Sequence, residues 1–441
     1  MLDASPPVNR GMTDKLDKDA FRKTIQVLAA KVAPQQTGVV LRDPALQGSI
    51  LDLPRTPSAA RAPDGDRLVL FRVAKEEELP QQAKDFLRER NLPLVTHALE
   101  LTYDYWTVDD IIASILPEEL VAEAPSGFAT VGHIAHLNLR DEYLPYKYII
   151  GQIILDKVSR IRTVVNKLNV IQNKFRVFDM ELLAGEPDYV VTHNEQECTF
   201  TFDFTKVYWN SRLHSEHGRI VESFAPEDVI ADVFAGVGPF AIPAGRKGCG
   251  VFANDLNPES FKYLQLNIAK NNVDELVIPT CEDGKEFIKT VILRALEHPL
   301  PPAAPPISKS QKRKLQHAKR QPERPPSPPV ARRTRVTQFV MNLPDTAILF
   351  LGAFRGLLSP ANVGGRDLSG LYTEMPMVHC YCFTRESELD KAAADIRQRV
   401  EHELGHPLGD EVSYHHVRSV APTKEMFCIS FRLPREVAFE G

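Results

Sequence analysis

The stretch DVIADVFAGVGPFAI, residues 228–242, decides the fold. Its apolar start reads as a strand, Gly236 and Gly238 break it, and a helix pattern follows from Phe240 onward. Glycines suit that turn because the chain must bend tightly and let a ligand approach the backbone at a helix N-terminus. Gly236, Gly238 and Ala241 also fit a loose G-x-G-x-x-A, so on this stretch alone a dinucleotide site is open.

Downstream the same alternation repeats. CGVFAND (249–255) leads to PESFKYLQLNIAKNN (258–272), and ELVIPTC (275–281) leads to GKEFIKTVILRAL (284–296). Strands alternating with helices predict an α/β domain with a doubly wound, mostly parallel sheet. A break follows at 298–336, where ten prolines fall between Pro299 and Pro329 and apolar residues are too few for a core. That composition predicts a disordered insertion. TQFVMN (337–342) then resumes the sheet, so the insertion interrupts one domain rather than joining two. A helical TAILFLGAFRGLL (346–358), the strand PMVHCYCF, the helix SELDKAAADIRQRVEHEL and two terminal strands, VSYHHVRSV and MFCISFRL, complete it.

Three acids sit at successive strand ends: Asp232 within the first strand, Asp255 closing the second, and Asp283 in CEDG after the third. A pyrophosphate would be repelled by Asp232, whereas an aminoacyl ammonium would be accommodated. Asp255 is placed for ribose hydroxyls and Asp283 for an adenine amino group. Together they favour S-adenosylmethionine, a cation, over NAD. Helix N-capping is the alternative for each.

Before this domain, FTKVYWNSRLHSEHGRIVESF predicts a helix from about Arg212, with Leu213, Ile220, Val221 and Phe224 as its apolar stripe. Glu216 and His217 fall on the same side. A core-facing acid is a candidate general base, because burial raises a carboxyl pKa; a surface salt bridge is the alternative. VMNLP (340–344) poses a similar choice. Pro344 ends the strand near Asn342, which reads either as a turn or as a polar corner at a site.

The 441 residues, 43% hydrophobic and 25% charged, have the values of a soluble globular protein of two or three domains. No stretch approaches a membrane span. Six scattered cysteines without a C-x-x-C pair predict a reducing compartment and no structural metal. The net charge of −5 excludes a uniformly basic nucleic-acid binder, yet residues 307–335 hold ten Lys or Arg and one Glu. Charge is segregated.

Residues 1–60 read as a partly disordered extension, 61–125 as a small α+β domain, 126–211 as a middle α+β domain and 212–441 as the α/β domain. Within the extension, AFRKTIQVLAAKV (20–32) allows a basic amphipathic helix of the mitochondrial-import kind, although Asp14, Asp17 and Asp19 make the region more acidic than most presequences. YVVTHNEQECTFTFDF (189–204) predicts a hairpin, with Phe200, Phe202 and Phe204 alternating on one face.

NKFRVFDMELLAGE, FDFTKVYWNSRLHSEHGRI, DVFAGVGPFAIPAG, NDLNPESFKYLQLNI and MNLP, in this order, closely resemble the eukaryotic and archaeal tRNA guanine-N1-methyltransferases acting at position 37, next to the anticodon. The likeness runs from about Gly127 to Leu433, apart from the insertion. It implies a Rossmann-like class I methyltransferase domain preceded by α+β RNA-binding domains, with S-adenosylmethionine as cofactor and tRNA as partner. The resemblance further implies that Glu216 takes the N1 proton, Arg176 stabilises charge on O6, and Tyr208 lies near cofactor and base. His217, Phe234, Gly236, Gly238, Asp255, Leu256, Asp283, Gly284 and Asn342 match cofactor positions. Asn342 and Pro344 resemble the Asn-x-Pro corner that N-methyltransferases set against the target base. The target must leave the anticodon-loop stack, and residues 60–125 would read the tRNA outer corner.

Asn210 and Ser211 stand where the family commonly has Pro before the Arg, and the archaeal pattern lacks the insertion. The insertion is open to a nuclear-import, RNA-binding or merely tolerated role. Rival readings are the aminocarboxypropyl transferase of wybutosine synthesis, an NAD-dependent dehydrogenase and a non-catalytic tRNA binder. Glu216 together with Asn342 favours methylation. Expected locations are cytoplasm and nucleus with a mitochondrial-matrix fraction, and the expected state is a monomer.

Overall fold

The computed structural model describes residues 2–125, 127–168, 179–303 and 332–440. The chain divides into two units, residues 1–169 with 180–188 and, for the remainder, 189–441.

In the first unit β1 (Lys23–Val32), β2 (Ala59–Arg61), β3 (Arg67–Leu70) and β4 (Leu94–Leu101) form a sheet in the order β2-β3-β1-β4. β5 (Ala129–Val131), β6 (Ile134–Leu137), β7 (Thr163–Lys167) and β8 (Met180–Gly185) form a second, with β6 and β7 parallel. This corrects the expectation for residues 1–60. The segment read as an amphipathic helix is β1, an interior strand in which Ala29 pairs with both Leu70 and Val95. Pairing on two sides overrides the helix preference of Ala29 and Ala30. The expected border at residue 125 also dissolves, since Trp106, Ile111 and Ile115 share one core with Ile149, Ile153 and Val164.

The second unit opens on the hairpin β9 (Val190–Glu195) and β10 (Cys198–Asp203). Gln196 and Glu197 make the turn at φ 49° and 58°, so the turn is tighter than the expected HNEQE. Phe200 and Phe202 are buried, as the alternation predicts. Asn267 on the helix Pro258–Lys270 and Asn271, its C-cap, accept the Thr201 and Thr199 amides at 2.7 and 2.9 Å. Two amide side chains thus satisfy the hairpin's outer edge. The hairpin belongs to this unit, whose start moves from the expected residue 212 to 189.

β11 (Val229–Asp232), β12 (Gly250–Asn254), β13 (Val277–Thr280), β14 (Gln338–Met341), β15 (Met377–Thr384), β16 (Val412–Ala421) and β17 (Lys424–Arg432) build the main sheet, in the order β13-β12-β11-β14-β15-β17-β16. The first five strands are parallel, and β17 runs antiparallel between β15 and β16. Strand order reverses between β11 and β14, which makes the carboxyl ends of these strands the natural ligand crevice.

The insertion leaves and rejoins at the opposite end. Leu300 and Arg333 form an antiparallel bridge, and Arg333 donates to the carbonyls of Pro226 and Gly248 at 2.6 and 2.9 Å, beside the starts of β11 and β12. Residues 304–331, where disorder is expected, lie outside the described residues. The expected helix at 346–358 is a 3₁₀ helix, Ala347–Phe354. Among the described residues no helix is long and apolar enough to cross a membrane.

Candidate active site

Gly236 and Gly238 take φ of 56° and 101° in the turn after β11. A Cβ on Gly238 would meet the flexible end of Ile242 at 2.6 Å, and its φ of 101° is one that L side chains rarely adopt, so the backbone conformation requires this glycine and crowding adds to the demand. A Cβ on Gly236 would meet nothing within 4 Å. That glycine faces open space, as a backbone cradling a ligand does. Its amide donates to Asp255 Oδ2 at 2.8 Å, while Asp255 Oδ1 accepts from Asn257 at 2.9 Å. Burial raises the Asp255 carboxyl above its usual range, against the pull of these two amides.

Asn254, which the sequence reading passed over, ties three strand ends together. Its amide donates to the carbonyls of Val233 and Glu282 at 3.2 and 3.0 Å, and its oxygen accepts from Glu282 N and Thr280 Oγ1 at 3.0 and 3.1 Å. A polar residue closing an apolar strand was the available signal.

Asp232 is fully buried, and neither carboxylate oxygen has a well-aligned hydrogen-bond partner among the described residues, with only the Phe234 amide pulling the carboxyl toward its charged form. Burial, and then the Asp255 charge, push its pKa up to about 8. An unpartnered buried carboxyl is costly unless a cation or donor meets it. Asp232 is paired with Val340 in β14, and two residues later Asn342 leaves the sheet with its own Oδ1 unpartnered. Pro344 holds the corner through its carbonyl, which accepts from Phe383 N at 3.1 Å.

At the end of β13, Asp283 caps the helix Gly284–Glu297 by accepting the Lys285 amide at 2.8 Å, so the capping alternative holds for this acid. Gly284 lies under the edge-to-face pair Phe234–Phe350, whose centroids are 4.9 Å apart. Leu256 follows Asp255 and accepts a weak contact from Cys281 Sγ at 3.9 Å.

Glu216 and His217 sit on the helix His214–Ser223, both buried together with Leu213, Ile220, Val221 and Phe224. Glu216 is no surface salt bridge. Arg219 grips it twice, Nε to Oε2 at 2.7 Å and Nη2 to Oε1 at 2.6 Å, and the Tyr381 hydroxyl donates to Oε1 at 2.7 Å. Tyr381 follows Cys380, the β15 partner of Met341, so it stands level with the point where Asn342 departs. His217 Nδ1 meets Glu195 Oε1 at 2.5 Å and its ring stands edge-on to Phe240. Burial raises the Glu195 carboxyl, but His193 and His217 beside it more than reverse this and hold it at about 2. Arg219, Tyr381 and Glu195 were missed, although the i,i+3 spacing of Glu216 and Arg219 was legible. Tyr208 is half exposed, and Arg176 lies outside the described residues.

The switch-point crevice therefore gathers the glycine turn, Asp232, Asp255, Asp283 and Asn342 at the ends of four adjacent strands. A family described as the TRM5/TYW2 methyltransferase domain matches residues 191–296, and one described as the TYW2 N-terminal domain matches 108–188. The tRNA (guanine(37)-N(1))-methyltransferase of Coprinopsis cinerea is 55% identical, over 99% of this chain and 98% of the relative. The chain belongs to the tRNA (guanine(37)-N(1))-methyltransferases. Within that family the Schizosaccharomyces pombe member is 43% identical over 96% of this chain and 94% of its own. The two matched segments meet where the two structural units do, at residues 188–191. The methyltransferase fold is shared with Trm5b from Pyrococcus abyssi (TM-score 0.58, 23% identity, 92% of this chain and 98% of that one). It is shared equally with the aTrm5 and tRNALeu complex structure (TM-score 0.60, 21% identity, 92% and 100%).

Proposed function

We propose that this methyltransferase transfers the methyl group of S-adenosylmethionine to N1 of guanosine 37 in tRNA. The observation that carries the reading is that, at one strand-order reversal, a buried carboxyl, Asp232, and an amide oxygen, Asn342 Oδ1, two residues beyond Asp232's register partner Val340, both lack a well-aligned partner among the described residues. The names of the near-full-length relatives support it. The residues present fit the cofactor: Asp232 offers a carboxylate to a cationic ligand, and the open φ-positive Gly236 lets its body approach the backbone.

When bound, S-adenosylmethionine supplies a methyl group on a sulfonium. Asp255 and Asp283 spend one or two lone pairs on backbone amides and keep others for ribose and adenine donors. The Asn342 amide can both donate and accept, and Pro344 stiffens its corner, so the base edge meets a preset partner.

Guanine N1 is protonated at neutral pH, so methylation requires a base. Glu216 takes that proton, held in place by Arg219 and Tyr381. Arg176 stabilises the charge growing on O6, a role carried over from the family motif. The nucleotide is turned out of the anticodon-loop stack to expose its N1 edge. Lys and Arg side chains of residues 126–211, joined by those of the insertion, meet tRNA phosphates, and residues 60–125 read the outer corner. We assign the enzyme to cytoplasm and nucleus with a mitochondrial fraction, acting as a monomer.

The test is single-turnover methylation of tRNA bearing G37 by Glu216→Gln. The rate is expected to fall about 10²- to 10⁴-fold with tRNA affinity retained. A rate within twofold of wild type would remove Glu216 from the chemistry.

A further inference from the structure

Tyr381 in β15 stands opposite Cys428 in β17, and Cys428 stands opposite His415 in β16. Directly opposed residues share a face, so one row of side chains crosses three strands and ends on the edge strand. Glu216 lies over this row. Its Oε1 accepts from Tyr381 at 2.7 Å, and its Oε2 stands 3.3 Å from His415 Nε2. The Glu216 side chain is 4% exposed and that of His415 46%, so the pair joins a buried carboxylate to solvent.

A base used in every turnover must lose its proton again, and the other groups around Glu216 are poor carriers. Arg219 is a cation without an acceptor lone pair. Burial pushes the Tyr381 phenol well above its ordinary range, and burial likewise pushes the Cys428 thiol up to about 12. His379, further along β15, is buried with its ring nitrogens engaged by Ser430 and Gln338 at 2.7 and 3.1 Å. His416, the neighbour of His415, is paired with Glu425 at 2.7 Å. Among these described residues His415 alone combines contact with Glu216, access to water and a ring nitrogen that can accept a proton; Arg219, the other partly exposed contact, has no acceptor. Burial, then Arg219, lowers its pKa, with Glu216 opposing and His416 adding to the fall, which favours the neutral ring over the imidazolium.

We propose that His415 is the exit for the N1 proton, resting on the assignment of Glu216 as the base. The N1–methyl bond replaces the bond that held the methyl to the sulfonium sulfur, which leaves as a neutral thioether, while the N1–H bond breaks and its proton passes to Glu216. Glu216 Oε2–H then gives it to His415 Nε2, leaving carboxylate and imidazolium. The imidazolium releases its Nδ1 proton to water, and exchange at the exposed ring restores the accepting tautomer. One proton leaves per methyl transferred. His415 is a positioning and relay residue, since it acts through Glu216 rather than on the guanine.

The experiment compares wild type, His415→Ala, His415→Gln and Glu216→Gln in multiple-turnover methylation of G37 tRNA at pH 7, where the base must be reset in every cycle, with imidazole added stepwise. Expected are rates about 10- to 100-fold down for both His415 variants, with unchanged tRNA affinity and imidazole restoring His415→Ala. Glu216→Gln should stay slow at every imidazole concentration. A wild-type rate for His415→Ala beside a slow Glu216→Gln would overturn the relay and leave the base in place. A slow His415→Ala that ignores imidazole would overturn it too, reducing His415 to a structural role. A wild-type rate for Glu216→Gln would overturn the base assignment and the relay together.

Discussion

The amide of Gly236 donates to Asp255 Oδ2 at 2.8 Å, tying the turn after β11 to the end of β12. The two glycines of that turn have different reasons to be glycine. At Gly238 an added methyl would strike Ile242 at 2.6 Å; at Gly236 it would enter open space. Gly238→Ala should therefore lose several kcal/mol and unfold early, by roughly 1–3 kcal/mol of backbone strain plus the clash. Gly236→Ala should cost only about 1–2 kcal/mol of left-handed strain yet raise the KM for S-adenosylmethionine at least about tenfold. Thermal melts paired with cofactor titration check both.

Burial, and then the Asp255 charge, push the Asp232 carboxyl up to about 8 in the fold, from the 3.8 of an ordinary aspartate. The native state therefore holds its proton more tightly than the unfolded chain. The stability this contributes is complete below pH 4 and is lost as pH rises to about 8. Asp232→Asn has nothing to ionise. Without cofactor, its unfolding free energy relative to wild type should climb between pH 4 and pH 9, by an amount on the order of a few kcal/mol. A difference that stays flat across this range would contradict a buried, unpartnered carboxyl.

Asn254 makes four hydrogen bonds in a buried place at the sheet's functional end. Asn254→Leu would strand two carbonyls, an amide and a hydroxyl. At about 1–3 kcal/mol for each unsatisfied buried group, denaturant melts should show one of the larger single-site losses in the domain.

Asn342 presents the opposite case, because its Oδ1 has no partner to lose. Asn342→Ala should keep its Tm within a few degrees while kcat falls about 10²-fold, the usual scale for removing a preset polar contact. A matching loss of stability would mark Asn342 as a structural residue.

The second unit was largely legible because its elements announce themselves locally. Gly236 and Gly238 break a strand, Phe200 and Phe202 alternate, and Pro344 stops a strand, each within a few residues. Features set by distant pairing were not legible. The β1 segment carries Ala29 and Ala30, and nothing local reveals that Leu70 and Val95 will flank it. The domain border was likewise hidden, because Asn267 and Asn271 draw the hairpin into the second unit from about 70 residues away. At the site, acids near strand ends could be read as candidates. Only the fold separates Asp283, which caps a helix, from Asp232, which has no well-aligned partner among the described residues. Tyr381, 165 residues from Glu216, has no sequence signal at all.

The most direct measurement is to incubate the enzyme with tRNA bearing an unmodified G37 and two samples of S-adenosylmethionine, one labelled in the methyl group and one in the aminocarboxypropyl chain. The digested nucleosides are then identified. Methyl label in 1-methylguanosine at position 37, with no transfer of the chain label, is the expected result. Chain label on the tRNA, or methyl label on any other nucleoside, would contradict the account.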